Sequence, residues 1–551
     1  MKILGINQVP GMFAWVHDSA AALVSDGRLV ASAEEERFSR VRHAKGYPRQ
    51  AIAYCLKEGG LSKNDIDVLA VSHDPYKFLR QFPWNLHWRT LAPNIFNLGV
   101  FWFFRKFVAK EFPRAKIVYV SHHLSHAAST YRCSGFDEAN ILTVDGAGET
   151  ETFTFWTGKN GVITKVWDIP LAGLWGARHP KSIGLVYSRV TNFLGLGTNG
   201  EGKTMGLASY GQPIYDFKNI LDIEDHRRYR IDRGAVSRLY GDLARKADEP
   251  LTEKHKNFAA SLQRALEDSL FNLAREAYGK TGIRKFCLAG GVALNCNMNS
   301  RIMSADFCDG LFVQPACYDG GIAMGAALEA AARLEKVSPM FRMENAYWGP
   351  GYGNDEIETL LREARVPYVR HENVPAAAAK LLAEGQIVGW FQGRMELGPR
   401  ALGNRSILAD PTVPGMNDRI NTSIKHREQW RPFAPIVAEE DGAKYFDDYK
   451  QSPFMLLTFL VKEAFRPKLP AITHIDGSAR IQTLNATQNP RLYAVLREFE
   501  KLRGVPMVLN TSFNDAGEPI VCSPKDALRC FYSTGLDALV MGDYILTKIK
   551  S

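Results

Sequence analysis

Apolar and polar positions alternate from the first residues. "KILGINQ" and "HDSAAALV" read as strands, and the "SDG" before "RLVASA" is a tight turn, the signature of a β-hairpin. A related pattern returns at "NILTVDGAGETETFTFWTGKNGVITKVWDI": a strand ending in "DGAG", a second strand, a "KNG" turn and a third strand. Strand, Gly/Asp turn and strand occurring twice predict a duplicated α/β fold. Between residues 240 and 283, "KNFAASLQRALEDSLFNLAREAYGKTG" carries apolar residues at helical spacing and ends on a glycine stop. Two strand-to-helix junctions follow. "KFCLAGGVALNCNMNSRI" places Gly290 and Gly291 at the end of an apolar strand, and "LFVQPACYDGGIAMGAALEAAARL" does the same with Asp319, Gly320 and Gly321. Glycines there let backbone approach a ligand, and a helix N-terminus beyond them favours anions. Neither junction is a Walker loop or a dinucleotide fingerprint. Together they point to a nucleotide held between two lobes.

"NAYWGPGYGND", around 345 to 355, is rich in Gly, Pro and Asn and breaks the pattern, so a domain boundary is expected there. A chain of 551 residues exceeds what one core usually organises. The apolar and charged fractions, 46% and 23%, are ordinary for a globular protein. A net charge of +9 suits anionic ligands, but no block of basic residues forms a nucleic-acid stripe. Eight cysteines without a CxxC pair, and a first strand where a signal peptide would stand, predict a reduced cytoplasmic setting without structural zinc. "IFNLGVFWFF", 95 to 104, is too short to span a bilayer and reads as a packed core helix.

"VSHHLSHAAS" crowds three histidines into five residues after an apolar run. His122 and His126 stand four apart, on one face of a helix for which Ser121 is a fair N-cap and Gly135 a fair stop. Two imidazoles do not hold a metal by themselves, and solvated surface histidines are the plain alternative. Oxygen ligands must come from elsewhere in the chain.

The segments "HDSAAAL", "EEERFSR", "HHLSHAAS", "VDGAGE", "EGKTMGLASYG", "GGVALNCNMN", "GRMELGPRALGNRSIL", "HREQWRPFAP" and "LNTSFNDAGEPIV" run in order from residue 17 to about 521. In these the sequence resembles the O-carbamoyltransferases of antibiotic and nodulation-factor biosynthesis. The resemblance implies an α/β protein of two domains. Residues 1–345 would form an actin-like, two-lobed ATPase domain, similar to the universal tRNA threonylcarbamoyl-transfer subunit. Residues 355–551 would form a YrdC-like α/β domain, similar to the enzyme that makes threonylcarbamoyl-adenylate. Carbamoyl phosphate and Mg-ATP would give a carbamoyl-adenylate in the second domain. The first would then pass the carbamoyl group to a hydroxyl of a small-molecule acceptor.

The resemblance also implies site residues. His122 and His126, with Asp145 of "TVDGAG" and Asp319 of "YDGG", would ligate a divalent metal, iron by preference. Two imidazoles and two carboxylates suit zinc or manganese as well, and disfavour magnesium. His123 is read as a supporting residue, with replacement of His122 as ligand the alternative. His17 matches the position of the general base, against a turn-holding histidine paired with Asp18. The nucleotide is expected at Gly146, Gly148, Lys203, Gly290, Gly291 and Asn295. Arg400, Arg405, Lys425, Arg431 and Arg480 recur in uncharged, Gly/Pro-punctuated segments and are expected to converge on carbamoyl phosphate and the adenylate, with Asn510 and Ser512 as neutral partners.

Two other functions compete: threonylcarbamoyl-type modification of tRNA, and an actin-like structural or chaperone ATPase. No nucleic-acid partner is expected. Segment 75 to 115, aromatic and basic with Trp84, Trp88 and Trp102, matches none of these motifs. It is either a packing insert or an acceptor-recognition wall.

Overall fold

The computed structural model describes residues 1–8, 17–75, 77, 88–171, 181–335 and 340–548, without the side chains of 88–98 and 101. The fold is mixed α/β, and the chain divides into two compact units: Met1–Ser39 with His43–Met343, and Arg40–Arg42 with Glu344–Ser551.

The first unit holds two five-stranded sheets of one topology. In the first, Arg28–Glu34, Ala20–Ser25, Lys2–Ile6, Val68–Val71 and Lys116–Tyr119 lie side by side in that order. In the second the corresponding order is Val162–Pro170, Glu151–Lys159, Glu138–Val144, Lys285–Ala289 and Gly310–Val313. Each has two antiparallel pairings followed by two parallel ones. The repeated hairpins turn on two residues each, Asp26–Gly27 and Asn160–Gly161. All four take positive φ, the geometry whose twist matches that of the flanking strands. The duplication expected from the pattern is therefore present in the backbone.

Leu4, Ile6, Leu23 and Leu69 of the first sheet bury against Ile52 and Cys55 of helix Arg49–Glu58 and against Phe104 and Val108 of helix Trp88–Glu111. The apolar run at 95 to 104 thus contributes to a helix with a core face, as expected, yet Trp102 and Phe103 remain more than half exposed. Trp84 lies outside the described residues, as does the Trp88 side chain. Among the described residues no helix is long and apolar enough to cross a membrane.

Helix Ile322–Glu335 packs against strand Lys2–Ile6 and helix His122–Tyr131. Gly325 permits that close crossing: a Cβ there would fall 1.9 Å from the Ser125 carbonyl oxygen. The long helix Glu253–Thr281 ends on Gly282 at φ +70, the left-handed stop its sequence calls for.

The second unit is built on an eight-stranded sheet ordered Val369–Arg370, Tyr544–Thr547, Ala538–Met541, Val388–Phe391, Arg405–Ala409, Met507–Ser512, Ala434–Ala438 and Gln482–Leu484. Its Arg40 guanidinium donates to the Ile520 and Pro519 carbonyls at 2.6 and 2.7 Å.

Candidate functional site

Helix His122–Tyr131 begins where strand Lys116–Tyr119 ends, but Ser121 makes no side-chain cap. The Glu149 carboxylate takes that place, accepting the His122 N–H at 2.9 and 3.1 Å. A negative charge there complements the exposed N–H groups and dipole of the helix start. The helix ends at Tyr131, short of Gly135.

His122 and His126 share a face, and their Nε2 atoms lie 3.2 Å apart. Asp145 follows strand Glu138–Val144, and its Oδ2 faces both nitrogens at 2.9 and 3.2 Å. Asp319, in the turn before helix Ile322–Glu335, brings Oδ1 to 3.5 Å from His122 and 3.4 Å from His126. Asp145 is aimed by its other oxygen, which accepts the Gly146 and Gly291 N–H groups at 2.8 and 3.1 Å. Gly290 takes φ +95, and a Cβ there would fall 2.1 Å from the Val144 carbonyl oxygen, so only glycine lets this turn meet the neighbouring strand.

Electrostatics fit a cation at this point. Burial presses the His122 imidazole toward neutrality, but the Asp319 and Asp145 charges override it and raise the group to about 9. Burial would likewise raise the Asp145 carboxyl, yet His122 and His126 hold it well below the usual range. Four donors converging on one point, two nitrogens and two carboxylate oxygens, form a set that can hold a divalent metal. His123 does not join it. Its Nδ1 pairs with Thr143 Oγ1 at 2.8 Å and its Nε2 with the Glu151 carbonyl at 3.1 Å, and burial keeps the ring neutral.

His17 lies beside this group, half exposed, with Nδ1 2.5 Å from Asp18 Oδ2. Asn7 ties the two places together, donating to the carbonyls of Asp18 and Asp319 at 2.7 and 3.0 Å. The Asp18 contact raises the His17 imidazole to about 9, with Asp319 and Asp145 adding to it against burial.

The expected nucleotide residues divide. Gly146, Gly148, Gly290 and Gly291 cluster around Asp145 and the histidine helix. Lys203 lies on helix Glu201–Ala208. Asn295 is spent internally: it caps helix Cys296–Met303 through the Met298 N–H at 3.1 Å and pairs with Gln263 at 3.0 Å.

In the second unit, Lys425 ends a single π-helical turn, and its ammonium donates to the Asn514 carbonyl at 2.9 Å, Asn514 Oδ1 at 2.8 Å and the Ser512 carbonyl. Burial, reinforced by the Arg427 charge, lowers it to about 7. Burial and Arg431 lower Arg427 to about 9, and burial with Arg480 lowers Arg431. Glu428 offsets part of this repulsion, and the remaining excess of positive charge among four buried or half-buried cations suits an anion. Arg400 sits half-buried in the loop between strands Val388–Phe391 and Arg405–Ala409, a loop pinned by Glu396 Oε1, which accepts the N–H groups of Leu402, Asn404 and Arg405.

Two of the expected anion ligands, Arg405 and Asn510, make internal hydrogen bonds. Arg405 is fully buried; its fork donates to the carbonyls of Gln392, Asn404, Pro350 and Gly393, and its guanidinium lies 3.7 Å from the Phe391 ring centre. Through these bonds it braces the backbone around the loop. Asn510 donates to the Ala401 carbonyl at 2.8 Å from a buried position on the next strand.

Known proteins match both halves. The family described as Carbamoyltransferase N-terminus covers residues 2–328, and that described as Carbamoyltransferase C-terminus covers residues 379–548. The chain belongs to the carbamoyltransferase family. It is 40% identical to nodulation protein NolNO of Sinorhizobium fredii, over 97% of this chain and 79% of that protein. It is also 40% identical to nodulation protein NolO of Bradyrhizobium diazoefficiens, over 78% of this chain and 79% of that one. Among solved structures it is similar to full-length HypF in the phosphate- and nucleotide-bound form. That likeness, at 13% identity and TM-score 0.38 over 61% of this chain and 56% of that one, transfers no function.

Residues of this carbamoyltransferase that motif reading overlooked include Glu149, Arg427 and His43. Arg427 stands two residues beyond Lys425 inside "KHREQWRP", within the same segment that supplied Lys425 and Arg431. Glu149 closes "VDGAGE", but nothing local tells that its carboxylate caps a helix whose first residue lies 27 positions earlier.

Proposed function

We propose that this carbamoyltransferase is ATP-dependent and acts on oxygen, using carbamoyl phosphate as donor and a hydroxyl of a small natural product or sugar as acceptor. Carbamoyl phosphate is split by water into carbamate and phosphate. A carbamate oxygen attacks the α-phosphorus of Mg-ATP and pyrophosphate leaves, giving carbamoyl-adenylate. The acceptor oxygen then bonds to the carbamoyl carbon, AMP departs, and the hydroxyl proton passes to the neutral form of His17, whose share grows as pH rises toward 9. The observation that carries the reading is the crowding of Lys425, Arg427, Arg431 and Arg480, an excess of positive charge over the nearby Glu428 carboxylate that suits a polyanion.

On this reading the second unit is the YrdC-like adenylate-forming domain, with Ser512 completing the anion site. The first is the actin-like transfer domain, supported by its repeated sheet topology. His122, His126, Asp145 and Asp319 would hold the divalent ion, iron by preference over zinc or manganese, which supplies Lewis-acid polarisation of the carbamoyl group. His17 accepts the proton, and the glycine turns around Asp145 leave backbone N–H groups near the nucleotide.

Exchange of labelled pyrophosphate into ATP is the test. It should require carbamoyl phosphate. Exchange that is absent, or unaffected by carbamoyl phosphate, overturns the reading.

A further inference from the structure

Asp18 stands between two imidazoles. Its Oδ2 lies 2.5 Å from His17 Nδ1 and its Oδ1 2.7 Å from His43 Nδ1, with the ring centres 6.1 Å apart. The carboxylate side chain is only 4% exposed, and the residue takes φ +59, a costly region for a non-glycine. Surrounding bonds hold it there. Asn7 accepts the Ala20 N–H and donates to the Asp18 carbonyl, Ser19 N–H donates to the Ala44 carbonyl at 2.9 Å, and His43 N–H donates to Glu36 Oε2 at 2.8 Å.

This cluster differs from the metal group in one decisive respect. There, a single oxygen of Asp145 faces both nitrogens, and the nitrogens face each other. Here each ring takes its own oxygen, the pattern of a carboxylate receiving two N–H donors rather than of ligands converging on an ion. The remaining nitrogen of His43, Nε2, is buried and meets no hydrogen-bond partner among the described residues. Among the described residues the ring's hydrogen bond goes to Asp18. His17, by contrast, is half exposed and meets Asp18 through Nδ1, the ring's other nitrogen being Nε2.

We propose that His43 is a positioning residue for carbamoyl transfer: its Nδ1–H fixes Asp18 so that the second carboxylate oxygen holds His17 with Nε2 presented to the acceptor hydroxyl. The inference rests on the reading of His17 as proton acceptor. Without the His43 donor, one oxygen of a buried carboxylate loses its partner, the group turns to find another, and the His17 ring loses its orientation.

The test compares His43→Leu, which deletes the donor, with His43→Asn, whose amide N–H can replace Nδ1–H, each in wild-type and His17→Ala backgrounds. The readouts are carbamoyl-phosphate-dependent AMP release with water as acceptor, pyrophosphate exchange, and the thermal midpoint. His43→Leu should lower AMP release about 10- to 100-fold, the usual effect of removing a partner that orients a functional imidazole, while exchange stays within about twofold. His43→Asn should recover most of the loss, and in the His17→Ala background His43→Leu should cost nothing further. Losses that add fully across the two positions, or an Asn variant no better than Leu at an unchanged midpoint, overturn the proposal. Absent exchange in the wild type would fail the underlying reading instead, and AMP release indifferent to His17→Ala would fail the assignment of His17.

Discussion

His122 Nε2 and His126 Nε2 face each other at 3.2 Å inside the protein, with one oxygen of Asp145 against both. A cation bound among these nitrogens and the carboxylates would satisfy all of them at once. Substituting His126 or Asp319 by alanine should therefore reduce bound metal at least tenfold, measured by elemental analysis of the purified chain. Transfer should be abolished with it, while pyrophosphate exchange survives, because the proposed function assigns exchange to the second unit. Loss of exchange in both variants would mean that the group serves the first half-reaction or the fold.

Arg431 is half-buried, with the Glu428 carboxylate favouring its charge and Arg480 opposing it. Arg431→Ala should weaken the use of carbamoyl phosphate by about 2–5 kcal/mol, as when one partner of a desolvated charge pair is truncated. Arg431→Lys should restore only part of this, since an ammonium cannot reproduce the planar fork. Titrating carbamoyl phosphate in the exchange assay measures both, and full rescue by lysine would reduce the role to net charge.

Lys425 titrates near 7 in the folded chain because burial and neighbouring cations disfavour its charge. Unfolded, it keeps the ordinary lysine value of about 10.5. Between these values the unfolded chain binds the extra proton, so this position's contribution to stability rises with pH and is most unfavourable below 7. The thermal midpoint of Lys425→Met relative to wild type should move in favour of methionine as pH falls from about 10 to 6. A difference that stays flat across that window would show that the ammonium is not the buried charge the geometry indicates.

Gly290 and Gly146 flank the same carboxylate but tolerate different changes. A methyl at Gly290 meets the Val144 carbonyl at 2.1 Å in left-handed backbone, whereas at Gly146 it meets only Leu185 at 3.7 Å. Gly290→Ala should destabilise by about 3 kcal/mol or more, combining strain with overlap. Gly146→Ala should stay within about 0.5 kcal/mol. Thermal unfolding of the two variants decides it.

Helix Trp88–Glu111 presents Phe104 to the core and Trp102 outward, with the Lys106 ammonium 3.7 Å from the Trp102 ring centre. Phe104→Ala should cost about 3–5 kcal/mol, and Trp102→Ala about 0.5 kcal/mol. A large loss of stability at Trp102 would make that ring part of the packing and remove it from any recognition surface.

Local periodicity and turn chemistry sufficed for much of this protein. The positive-φ pairs Asp26–Gly27 and Asn160–Gly161, the Gly282 stop and the shared face of His122 and His126 each depend on residues a few positions apart, whose conformational preferences hold wherever the segment lies. Tertiary structure decided what such preferences do not record. It brought Glu149 rather than Ser121 to the start of the histidine helix and set His43 against Asp18 across 25 residues. It buried Arg405 against four carbonyls, though its sequence surroundings resemble those of Arg400 and Arg431. The reason is that the fate of a charge depends on how completely distant segments strip it of water and which partners they supply in exchange, and neither quantity is encoded in its neighbours along the chain.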